Sequence, residues 1–115
     1  MDNTLEKAED IKSIVIESLE RDKAEQLIAI DLNGKTEFAS YMIIASGRST
    51  KHVTSLAEKV YEDLKHSGYY DCRIEGLKEG RWVLVDAVDV IVHLFISEAR
   101  DSYQIEKIWD FQIKE

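Results

Sequence analysis

Proline is missing from the 115 residues, cysteine occurs once, and glycine only five times. A usual proline share is about 5%, so the chain lacks the ordinary punctuation of linkers and low-complexity tails. A single cysteine, Cys72, excludes an intramolecular disulfide and any zinc site built on cysteine pairs. A reducing compartment fits that usage. No apolar run approaches the roughly 20 residues of a membrane-spanning helix. Cations are also scarce: 15 Lys and Arg stand against 23 Asp and Glu, for a formal net charge of -8. A phosphate backbone repels such a chain, which disfavours direct nucleic-acid binding and favours a basic protein as partner. Asp2, Glu6, Glu9 and Asp10 near the start are too acidic for a transit peptide and too polar for a signal peptide. A cytosolic protein is expected.

What is present suits one folded domain over residues 1–115. Hydrophobic residues make up 44% and charged ones 33%, outside the disordered range. Leu5, Ala8, Ile11, Val15 and Leu19 recur at helical steps and predict a helix over 4–21, with Asn3 and Glu6 as a capping box. Gln26 to Leu32 reads as a strand, and the unbroken Leu27-Ile28-Ala29-Ile30 predicts burial on both faces. Asn33-Gly34 marks a turn, and Lys35 to Ser40 an irregular connection. Tyr41 to Ser46 is a second apolar strand. Ser49 or Thr50 caps a helix to about His66 that faces Val53, Leu56, Ala57, Val60 and Leu64 inward, and Gly68 stops it. Cys72 to Glu75 is a short strand, and Trp82 to Ala87 and Asp89 to Ile96 are two more. A helix over Ser97 to Trp109 closes the chain. This order predicts an α/β or α+β fold, a mixed sheet of about five strands flanked by helices.

A hairpin turning at Ala87-Val88 pairs Asp86 with Asp89, Leu84 with Ile91, and Trp82 with His93. Alternation then puts these six on one face with Phe95, while Val83, Val85, Val90, Val92 and Leu94 form a purely apolar face that must be core. The first face mixes an aromatic, aliphatics, a histidine and two carboxylates. It reads either as a half-covered sheet face or as a partner-binding patch with Trp82 as anchor. Tyr41 and Met42 on the neighbouring strand are expected to extend it.

Catalytic readings find less support. Asp86 and Asp89 are three apart and straddle a turn, whereas two-metal chemistry needs carboxylates aimed to one side. His52, His66 and His93 lack metal-ligand spacing, and no local motif places a histidine beside Cys72. Ser40 to Ala57 carries no acid, so Arg48, Lys51 and His52 form a local basic spot.

The string Met42-Ile43-Ile44-Ala45-Ser46-Gly47-Arg48-Ser49-Thr50-Lys51-His52-Val53 resembles the first block of the ribosomal silencing factor (Iojap-like) family. Trp82-Val83-Leu84-Val85-Asp86, with Asp89 through Phe95, resembles its second block. Arg100, Tyr103, Glu106 and Trp109 match its closing helix. The resemblance spans about residues 5–110. It implies a nucleotidyltransferase-like fold without the catalytic carboxylates, no enzyme activity, no cofactor and no metal. It also implies binding to the large ribosomal subunit through its fourteenth protein, blockade of small-subunit joining, and repression of translation when nutrients are scarce. Homodimers are common in the family. The partner-binding residues it implies are Trp82, Leu84, Asp86 and Asp89, to which the hairpin face adds Ile91 and His93 and the neighbouring strand Tyr41 and Met42. The family usually carries glycine where this chain has Val88. The alternative is a nucleotide-binding or nucleotidyltransferase-type enzyme using Asp86.

Overall fold

The computed structural model describes residues 4–35 and 37–98, with side chains from Glu6 onward. Helix α1 spans Thr4–Arg21, strand β1 Glu25–Asp31, β2 Tyr41–Gly47, helix α2 Thr50–His66, β3 Arg73–Glu75, β4 Trp82–Asp86 and β5 Val90–Ile96. These bounds follow the periodicity of the sequence closely. The expected cap at Asn3 lies outside the described residues. So does most of the closing helix, including Arg100, Tyr103, Ile105, Glu106 and Trp109; only its start, at Ser97 and Glu98, is described, and it is helical.

The five strands form one mixed sheet in the order β1-β2-β5-β4-β3. β2 and β5 run parallel at its centre, and the other pairings are antiparallel. An antiparallel neighbour can follow a short turn, whereas the parallel β2–β5 pair requires a long crossover, which α2 provides. Both α1 and α2 lie on one face. Ala8, Ile11, Val15 and Leu19 of α1 and Val53, Leu56, Ala57, Val60 and Leu64 of α2 meet Ile43, Ala45, Val83, Val85, Val90, Val92 and Leu94 of the sheet. The all-apolar face of the terminal hairpin is therefore core, as the alternation requires.

Local chemistry fixes the ends of α2. Ser49 sits in extended backbone and its Oγ accepts the His52 N–H at 3.1 Å. At the other end Gly68 adopts φ +93°, and the Tyr69 N–H returns to the Leu64 carbonyl. The His52 ring then ties two turns together. Its Nδ1 accepts the Arg48 N–H at 3.0 Å, so the proton sits on Nε2, which donates to the Asp22 carbonyl at 2.9 Å. The basic spot read from the sequence thus holds a structural clamp at its centre.

Two expectations need correction. β1 is an edge strand, not one buried on both faces: Ile28 is 39% exposed, and Gln26 and Ala29 are also open to solvent. A run of four apolar residues gives the same signal at a sheet's centre and at its rim; only the count of neighbouring strands separates them. The β1–β2 register also slips between Glu25 and Ile28, where Gln26 has φ 52°. β2 is the strand buried throughout.

The terminal hairpin does not turn at Ala87-Val88. Trp82 pairs with Phe95, Leu84 with His93, and Asp86 with Ile91, a register two residues from the expected one. Ala87 donates to the Val90 carbonyl, leaving Val88 and Asp89 as the tip. The Asp89 N–H bonds the Ala87 carbonyl at 2.8 Å around Val88 at φ 70°, a γ-turn of the rare left-handed kind. A β-branched residue there is strained. The surroundings enforce it: the Val88 N–H donates to Asp86 Oδ1 at 2.9 Å, and the Asp89 carbonyl accepts from the amides of Ser40 and Tyr41. The left-handed region costs a non-glycine residue about 1–2 kcal/mol, part of it offset by glycine's greater freedom when unfolded. Val88→Gly is therefore expected to stabilise the fold by about 1 kcal/mol, read as a raised midpoint in urea with an unchanged slope. A lowered midpoint would contradict this account of the turn.

Candidate functional site

The sheet face turned away from α1 and α2 is built in cross-strand rows. One row runs Ile30, Met42, Ile91, Asp86, Arg73, and the next Ile28, Ile44, His93, Leu84, Glu75. A third holds Ser46, Phe95 and Trp82. Because the register error is an even number, the paired residues of β4 and β5 stay on the faces assigned to them from alternation. Trp82, Leu84, Asp86, Ile91 and His93 do lie together, with Met42 beside Ile91.

Two of the expected residues lie elsewhere. Tyr41 belongs to the helix-covered face, packed among the core residues there, with its hydroxyl 3.5 Å from Glu9 Oε2 and Lys12 Nζ 4.3 Å above its ring. Neighbours along a strand point to opposite faces, so Tyr41 and Met42 cannot share one. Burial first, then the charge of Glu9, raises the Tyr41 phenol above its ordinary range. Asp89 sits in the tip of the hairpin and faces Asp86 from no paired position.

The face grades from a sealed floor to an open rim. Met42, Ile44 and Phe95 are fully buried and cluster with Leu32 and Ala39, while Ile30 and Ile91 are half-buried against them. Leu84 and Asp86 are half-buried. Trp82 is 38% exposed and is the large aromatic of the face that reaches solvent. Its indole lies over Phe95 with ring centres 5.2 Å apart and planes at 28°. Glycine at position 76 brings the chain in tight here: it adopts φ +93°, and a Cβ would sit 2.4 Å from the Trp82 carbonyl oxygen. Asp86 receives the Val88 amide and a loose ion pair from the exposed Arg73 at 3.7 Å. Such a pair is weak, so the carboxylate remains open to a stronger cation.

His93 is 8% exposed, and its Nδ1 accepts the Trp82 Nε1–H at 3.0 Å. Burial pushes its pKa down to about 4. The ring is therefore neutral at ordinary pH, with its proton on Nε2. Burial, helped by Asp86 and Asp71, pushes the Cys72 thiol up to about 11, which leaves it a poor nucleophile. Among the described residues, no group of three or more His, Cys, Asp or Glu side chains is placed to hold a metal ion. The residues missed from sequence are Ile44, which floors the face beside His93, and Arg73, which reaches Asp86 from the neighbouring strand; pairing across β2–β5 and β3–β4 brings them in.

A buried histidine with a depressed pKa makes stability depend on pH in a definite direction. The unfolded ring binds a proton near pH 6.5 and the folded one only near 4, so between these values the unfolded state holds more protons. This contribution is complete above pH 6.5 and declines as pH falls to 4, by about 1.4 kcal/mol per unit and about 3 kcal/mol in all. Urea melts across that window should show a shallower pH slope for His93→Asn than for the unaltered chain. Parallel slopes would mean that the ring titrates normally.

The model for "Ribosomal silencing factor during starvation" matches residues 5–115. A ribosomal silencing factor of Zymomonas mobilis is 45% identical over 98 residues, which are 85% of this chain and 74% of that one. A crystal structure of a Chromobacterium violaceum protein superposes with a TM-score of 0.85 at 39% identity, covering 90% of this chain and 86% of that one. The mouse mitochondrial assembly of ribosomal large subunit protein 1 is 28% identical over 84% of this chain, which spans 43% of its length. With a family model across nearly all its residues and a solved relative of the same topology, this chain belongs to the ribosomal silencing factor family.

Proposed function

We propose that residues 1–115 act as a single silencing-factor domain in the cytoplasm. It docks on the large ribosomal subunit through the fourteenth protein of that subunit and blocks joining of the small subunit, repressing translation when nutrients are limiting. The role is steric and regulatory, not enzymatic. The observation that carries this reading is the graded face: an exposed Trp82 on a fixed Phe95, bordered by Leu84, Ile91 and Ile30 and rimmed by Asp86. An apolar centre with a charged rim and a tryptophan anchor is the usual anatomy of a protein interface. The mouse relative carries the large subunit in its name, which favours that subunit over the small one.

Charge supports the same partner class. With a net charge of -8, the domain attracts a basic ribosomal protein and is repelled by the surrounding rRNA, which favours one site over general adhesion. Asp86 and Asp89 meet lysines or arginines of that protein, and Trp82 and Leu84 fill its apolar patch. Met42 and His93 act from below this surface, since both are buried. Tyr41, on the other side of the sheet, contributes through the fold. A homodimer formed over the same face would compete with the ribosome.

Loss of a central tryptophan anchor commonly costs about 2 kcal/mol or more, some thirty-fold in affinity. Folded Trp82→Ala should therefore co-sediment about thirty-fold more weakly with purified large subunits, while the unaltered protein migrates with free large subunits and not with joined ribosomes. Wild-type affinity in the folded variant would overturn the reading.

A further inference from the structure

We infer that His93 is a positioning residue for Trp82: its Nδ1 holds the indole N–H so that the ring meets its partner already oriented. This rests on the docking role proposed for Trp82, and it says how that anchor is built. Trp82 stands at the start of β4, partly in solvent. A side chain in such a place ordinarily loses rotamer freedom on binding, which weakens affinity. The indole nitrogen is a donor only, so it needs an acceptor in a fixed place to be held. His93 supplies one at 3.0 Å.

The acceptor itself is immobile. His93 pairs with Ile44 on one side and Leu84 on the other, and it is nearly sealed from water. It lies diagonal to Trp82, not opposite it; the opposite position belongs to Phe95. Phe95 is fully buried and carries the indole on its face, with the His93 ring nearly parallel to its own at 10°. The plate fixes the height of the indole and the hydrogen bond fixes its rotation. Neither contact alone would do both. A wholly apolar residue at 93 would keep the packing and lose the rotation.

The test separates these contributions. Asparagine at 93 keeps an acceptor near the Nδ1 position, and phenylalanine does not. Nitrogen-15 spectra resolve the two indole N–H signals, and Trp82→Phe assigns that of Trp82. In the unaltered protein the Trp82 indole proton should exchange with solvent more slowly than a free indole. In His93→Phe the protection should vanish and large-subunit affinity should fall about three- to tenfold. His93→Asn should restore much of both. In a Trp82→Phe background, His93→Phe should change affinity no further.

Fast exchange of the Trp82 indole proton in the unaltered protein overturns the inference, whatever the affinities of the variants. An equal loss of affinity from His93→Phe with and without the indole also overturns it, since a merely structural histidine would behave so. If Trp82→Ala leaves binding intact, the docking role falls instead, while the exchange measurement still decides whether the lock exists.

Discussion

The parallel pairing of β2 with β5 is the constraint from which the rest follows. These two strands are separated in sequence by a helix and two other strands, yet they form the centre of the sheet. Their register sets Met42 beside Ile91, Ile44 beside His93 and Ser46 beside Phe95. It equally sets Ile43 beside Val92 and Ala45 beside Leu94 on the side that α1 and α2 cover. One pairing thus organises both the core and the proposed docking face. The tip of the terminal hairpin is held by the same arrangement, because the Asp89 carbonyl bonds the amides that open β2. That grip explains why a valine is tolerated in a backbone conformation that favours glycine.

Much of this was legible in the sequence. Helix positions followed from apolar spacing, the α2 boundaries from Ser49 and Gly68, and the division of the hairpin's residues between two faces from simple alternation. The hairpin register was not legible, because Ala87, Val88 and Asp89 include no glycine or asparagine to mark the tip. An error of two residues left the faces intact, whereas an error of one would have inverted them. The place of β1 at the rim of the sheet was hidden, since Leu27 to Ile30 reads alike in either location. Tyr41 is a different case: alternation alone separates it from Met42, so its grouping with the docking face was avoidable.

Burial divides the candidate residues in a way that residue type could not. Trp82 and His93 share one face by alternation, and both are among the residues expected to bind a partner. In the fold one is open and the other is sealed, and a hydrogen bond joins them. The carboxylates divide similarly. Asp86 has ties to Arg73 and to the Val88 amide, while the main chain of Asp89 does the work of holding the turn. Of the two carboxylates that were weighed for metal chemistry, that of Asp86 also braces the strained hairpin through the Val88 amide.

The two margins of the sheet carry a last consequence. β1 is interrupted by a bulge and ends in Glu25 and Asp31, and the opposite margin, β3, is only three residues long and alternates Arg73 with Glu75. Irregular, short and charged margins are poor templates for recruiting foreign chains. Long, smooth margins let crowded copies of a sheet protein nucleate fibrils; here the backbone geometry itself discourages that growth.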